Sequence, residues 1–125
     1  MRKKNLDYPI GFADSEILSY CSENNNLIIY LKCWNEKILK FEFVDCILFL
    51  ILNSWNISDV CEMDDSVFLE RALKIVYEIL PKEHDYKIFN FINNDDDPVV
   101  EIICKNMIIE HREYESGRDV QTKTR

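Results

Sequence analysis

The sequence predicts an α+β fold: a largely antiparallel β-sheet with one main α-helix packed on one face. Three observations carry this. Apolar and polar residues alternate in several stretches before residue 64 and again after residue 85. The spacing turns helical once, after Asp64-Asp65-Ser66. Turn-forming residues separate the alternating stretches at hairpin-like intervals.

The first dozen residues read as a lead-in, broken by Pro9 and Gly11. We therefore expect a lead-in over 1–13, a single α+β domain over 14–115 and a flexible tail over 116–125. From Ser15 the pattern is strand-like, with Ile17, Ser19 and Cys21 alternating with Leu18 and Tyr20. Asn24-Asn25-Asn26 reads as a turn. Leu27 to Trp34 is a strong strand, with Leu27, Ile29, Leu31 and Cys33 on one face. Asn35-Glu36 is a connection of hairpin length. Leu39, Phe41 and Phe43 then alternate with Lys40 and Glu42, one face buried and one wetter.

Val44-Asp45 interrupts the alternation. The run Cys46 to Leu52 fits either a central strand or a buried helical segment. Its β-branched and aromatic content favours a strand, with a bulge near Asp45. Asn53 to Asn56 is a connection, and Ile57 to Glu62 a short strand.

Asp64-Asp65-Ser66 supplies capping side chains and negative charge at a helix start. Leu69, Leu73, Val76 and Leu80 form a helical stripe flanked by Phe68, Ala72 and Ile79. Glu70, Arg71, Lys74 and Glu78 face water, with Glu70–Lys74 a favourable pair. Pro81 ends the helix, and His84 in the following loop is expected to help satisfy its C-terminus. Strands follow at Tyr86–Asn93, Val99–Lys105 and Met107–Glu113. The first two are separated by the turn Asn94-Asp95-Asp96-Asp97-Pro98.

Composition narrows the function. The 125 residues are 47% hydrophobic, enough for one core. They carry 15 Lys+Arg against 23 Asp+Glu, a net charge of −8. That balance argues against nucleic acid and anionic membranes as partners. With 2 Gly in the chain, Gly-rich phosphate loops are excluded. No secretory signal is read, and the seven-residue run from Cys46 falls short of a membrane span, so a cytoplasmic protein is expected. The five cysteines show no close pair, as zinc and redox motifs require, and read as reduced, buried apolar groups.

No catalytic or metal motif emerges. Asp95, Asp96 and Asp97 are consecutive, whereas calcium loops place oxygens at alternate positions with a Gly to turn the chain. His111 reads as an exposed strand residue. We expect no cofactor, no metal and no enzymatic activity.

Charge is the more informative feature. Residues 61–117 hold 6 basic and 14 acidic side chains, a net of −8, with dense points at Glu62, Asp64 and Asp65 and at Asp95, Asp96 and Asp97. Such clusters either solubilise a face or dock a basic partner. The aromatic residues Trp34, Tyr30, Phe41, Phe43, Phe89 and Phe91 read as core. Trp55 is the exception, because it lies in the polar connection Asn53-Ser54-Trp55-Asn56. An exposed Trp near carboxylates suits a protein interface. The candidate partner-binding residues are thus Trp55, Glu62, Asp64, Asp65, Asp95, Asp96 and Asp97.

Several segments carry a resemblance. They are Asp14-Ser15-Glu16-Ile17-Leu18, Asn26 to Leu31, Trp34 to Phe41 with Val44, and Phe89 to Ile92 through Asp97-Pro98-Val99-Val100-Glu101-Ile102. Over residues 14–112 the chain resembles small β-rich immunity proteins of bacterial polymorphic-toxin systems. The resemblance implies a cytoplasmic protein that binds and neutralises a cognate toxin domain. It transfers no site residues, since such proteins bind through surfaces that differ from pair to pair. Two alternatives stay open: a small enzyme or ligand-binding domain, with His84, acidic residues or Cys61 in a pocket, and a structural oligomeric subunit.

Overall fold

A computed structural model describes residues 3–6, 8, 9 and 11–112. These residues form nine strands and one helix. The strands are β1 (Lys3–Asn5), β2 (Glu16–Glu23), β3 (Asn26–Lys32), β4 (Ile38–Val44), β5 (Leu48–Ile51), β6 (Asp59–Met63), β7 (Lys87–Ile92), β8 (Pro98–Cys104) and β9 (Asn106–Arg112); the helix is α1 (Leu69–Val76). The expected tail over 116–125 lies outside the described residues.

The strands build two antiparallel sheets, where sequence reading anticipated one. One has the order β2-β3-β4-β9 and the other β1-β6-β7-β8-β5. Period-two patterning supplies the shared core. Leu27, Ile29, Leu31, Leu39, Phe41 and Phe43 of the first sheet meet Phe89, Phe91, Val100 and Ile102 of the second. At the centre of the core, aromatic contacts join the layers: Phe41–Phe91 at 5.3 Å, Phe43–Phe89 at 5.9 Å and Phe43–Phe91 at 6.4 Å between ring centroids.

The chain changes sheet where alternation breaks. Asp45 adopts a left-handed φ of 54°. Its N–H donates to Asn26 Oδ1 at 3.1 Å, and Cys46 N–H donates to Asn25 O at 2.6 Å. Beyond this turn, which stands where a bulge was expected, Leu48–Ile51 of the run from Cys46 form β5; it pairs with β8 at the end of the second sheet and is not a central strand. Asn24 and Asn25 close the β2–β3 hairpin at φ 54° and 67°, the left-handed pair a two-residue hairpin turn requires. β1 has no counterpart in the sequence reading. Lys3, Lys4 and Asn5 carry no apolar alternation, and the strand is set by pairing with β6.

The helix is shorter than its apolar spacing suggests. It starts at Leu69, with Ser66 organising the turn before it: Ser66 Oγ accepts Phe68 N–H at 3.0 Å, and Ser66 O accepts Leu69 N–H at 3.1 Å. It ends at Val76, and Tyr77 is extended at φ −115° and ψ 135°. Two causes act together. Ile75 and Val76 are β-branched and weak helix formers. Tyr77 leaves the helix and packs its ring edge-on against Tyr86, 6.4 Å between centroids. The expected stripe therefore breaks in half. Leu73 and Ala72 are buried, while Val76, Ile79 and Leu80 are exposed. Ala72 clusters with Ile88 and Ile103, against Phe68, Leu69, Met63 and Tyr86.

Candidate functional site

The connection from β5 to β6 arches over one end of the second sheet. Leu52 N–H donates to Val99 O at 2.7 Å, and Ser58 N–H donates to Ile92 O at 2.8 Å. Ser58 Oγ also donates to Asn93 O at 2.9 Å. At the crest, Trp55 N–H donates to Asn53 Oδ1 at 2.7 Å, and Asn56 takes a left-handed φ of 59°. Trp55 is left 59% exposed, as its polar neighbours indicated. Trp34, expected in the core, sits in the β3–β4 hairpin and is also exposed.

The aspartate triplet occupies the turn between β7 and β8, at the same end as this connection. Asn93 Oδ1 accepts the N–H groups of Asp95 and Asp97, each at 2.9 Å, and Asp96 N–H donates to Asn93 O at 3.0 Å. Asp96 takes φ 64°. One asparagine side chain therefore fixes the backbone, and Asp95, Asp96 and Asp97 are all exposed.

The other acidic cluster lies elsewhere. Asp59 pairs with Ile92 at one end of the β6–β7 ladder, and Met63 pairs with Ile88 at the other. That is about 13 Å of strand. Half-buried Glu62 stands opposite Phe89 in register, and Asp64 and Asp65 follow β6 on the way to α1. The two clusters are held at opposite ends of one sheet.

Sequence reasoning missed a run of apolar side chains along one flank. Leu18 and Tyr20 on β2, Phe49 and Leu50 on β5, and Leu52 beyond it are exposed, Leu52 to 69%. Tyr20 and Phe49 meet across the two sheets at 6.4 Å. The available signal was apolar character on both faces at Ile17, Leu18 and Tyr20. A strand's position at a sheet edge, however, is not written in its own alternation.

Sequence reasoning also missed a polar row across the second sheet, where Asn90 pairs in register with Cys61 on β6 and Glu101 on β8. Ser66 Oγ donates to Glu101 Oε2. Asn90 is buried, and its Oδ1 has no partner among the described residues.

Three of the thiols are poor nucleophiles. Burial pushes Cys104 up to about 12 and Cys46 up to about 11, and raises Cys33 as well. Cys21 departs from the buried-cysteine expectation and is exposed. His84 does not serve the helix end; its Nδ1 accepts Tyr86 N–H at 3.2 Å. Among the described residues, no group of three or more His, Cys, Asp or Glu side chains is placed to hold a metal ion, and no helix is long and apolar enough to cross a membrane.

The chain matches no protein-family model, no curated protein and no solved structure.

Proposed function

We propose that this chain is a non-enzymatic α+β binding module, with α1 held on one face of the second sheet, that masks a basic protein partner. The partner we propose is a toxin domain, which makes the chain an immunity protein acting in the cytoplasm. One observation carries the reading. Exposed Trp55 and Leu52 stand at the same end of the sheet as the exposed turn Asp95-Asp96-Asp97. A rigid aromatic anchor beside concentrated negative charge combines contact energy with electrostatic steering. Glu62, Asp64 and Asp65, at the far end, add to the long-range field of a molecule with net charge −8.

The test is co-expression with the product of the adjacent gene, followed by growth rescue and stopped-flow association. The wild-type chain is expected to bind and to restore growth. The D95K/D96K/D97K variant should associate roughly tenfold more slowly at low salt, with a flatter salt dependence. Absence of both binding and rescue would overturn the proposal. An unchanged association rate would remove the aspartates from the interface.

A further inference from the structure

We infer that the free edge of β2 captures an extended, cationic segment of a protein partner as an added antiparallel strand. This builds on the reading of the chain as a binder of basic protein, but uses the open edge of β2, next to the Ser54–Ile57 connection, rather than Trp55 and the aspartate turn themselves.

β2 is the terminal strand of its sheet and pairs with β3 alone among the described residues. The start of its outer side is covered. Ser15 exchanges backbone hydrogen bonds with Ile57, and Ile17 N–H donates to Ser54 O at 2.7 Å. A bulge between Ile17 and Ser19 follows. From Leu18 to Glu23 every residue is exposed.

The direction of the backbone groups follows from the turn. In a two-residue hairpin the residues flanking the turn exchange hydrogen bonds, and hydrogen-bonded and non-hydrogen-bonded pairs then alternate. Glu23–Asn26, Cys21–Ile28 and Ser19–Tyr30 are therefore the bonded pairs. The N–H and C=O groups of Tyr20 and Ser22 point away from β3, toward the open edge. The same alternation sends Ile17 N–H outward, and its bond to Ser54 is the consequence.

Side chains define the occupant. Proteins commonly blunt such edges with Lys or Pro. β2 has neither, and its charged residues are Glu16 and Glu23. By register both lie on the outer face of the sheet, opposite Lys32 and Asn26, with Asp45 close to Asn26. Lys32 is engaged by Glu36 at 3.5 Å. On the inner face Tyr20 leans on Phe49, leaving exposed apolar surface beside the edge. A segment alternating cationic and apolar residues would set a cation by Glu23 and its apolar side chains by Tyr20, with Glu16 at the covered start of the strand adding to the local negative field. A second copy of the chain would bring its own net charge of −8 to the same edge.

The experiment titrates the full chain with a short peptide alternating lysine and valine, and with a matched peptide of glutamate and valine. Fluorescence anisotropy reads affinity, and NMR reads amide exchange. The lysine peptide is expected to bind and to slow exchange at Tyr20 and Ser22, while the glutamate peptide does not bind. Ser22→Pro removes an outward N–H at an edge that tolerates proline, and should weaken binding about tenfold. E16K/E23K should transfer the preference to the glutamate peptide, which keeps the test intact if S22P fails to fold. No protection at Tyr20 and Ser22, equal affinity for S22P, or an unchanged preference in E16K/E23K would overturn edge capture. So would a dimer of the free chain that already protects these amides. A chain that rescues growth in co-expression yet ignores the peptide would sink this inference alone.

Discussion

The Phe41 ring lies 5.3 Å from the Phe91 ring, and this pair joins β4 of one sheet to β7 of the other at the centre of the core. Both residues are fully buried. Phe41 also touches Phe12 and Phe43, so three ring contacts depend on it. Phe41→Ala should cost about 3–5 kcal/mol through lost burial and the cavity left behind. Urea unfolding checks this, and Phe41→Leu should cost distinctly less.

Asn90 offers the opposite case. Its Oδ1 is buried without a partner among the described residues. An unsatisfied buried acceptor costs about 1–3 kcal/mol, and leucine has a similar shape. Asn90→Leu should therefore raise stability by about 1 kcal/mol, read as a higher urea midpoint at unchanged slope. A loss of stability instead would mean that a polar group at this position does structural work with Glu101.

Glu36 holds φ 70° in the β3–β4 hairpin. A non-glycine residue there carries about 1–2 kcal/mol of strain, partly offset by the entropy a glycine would lose on folding. Glu36→Gly should stabilise the chain by about 0.5 kcal/mol. Its ion pair with Lys32 is well exposed and should not reverse the sign. Thermal unfolding in low and high salt separates the two contributions.

The thiols predict alkaline sensitivity. An unfolded thiol titrates near its ordinary value of 9.0, whereas folded Cys46 and Cys104 keep their protons to about 11 and about 12. Between these values the unfolded state binds fewer protons, so stability falls as pH rises, by up to about 1.4 kcal/mol per pH unit for each thiol. Below pH 8 the effect is absent. Denaturation midpoints from pH 7 to pH 11 should decline, and Cys104→Ala should shallow that decline. In the folded chain near pH 8, alkylation followed by mass spectrometry should mark Cys21 first.

Most strands were legible because a half-buried strand must alternate, and β3 and β4 do so cleanly at Leu27, Ile29, Leu31, Leu39, Phe41 and Phe43. Turns were legible because Asn24, Asn25 and Asp96 tolerate left-handed backbone. Trp55 was legible as exposed because everything around it was polar. What failed were features set by distant partners. Apolar spacing ran on to Leu80, but Tyr77 found Tyr86 and the helix stopped. Nothing in β2 records that β3 is its one strand partner among the described residues, and nothing in Cys46 to Leu52 records that the strand pairs with β8. Asn90 sits in a strand of apolar residues with no hint that its carbonyl would go unanswered.

The placement of β9 has a consequence for synthesis. Met107 and Ile109 complete the core over Phe41 and Phe43, whose strand is made more than sixty residues earlier. Until β9 leaves the ribosome, the aromatic layer of β4 stays open along one side. A nascent chain stalled before Asn106 should be a target for chaperones or proteases, and quality control can thereby tell a finished molecule from an interrupted one.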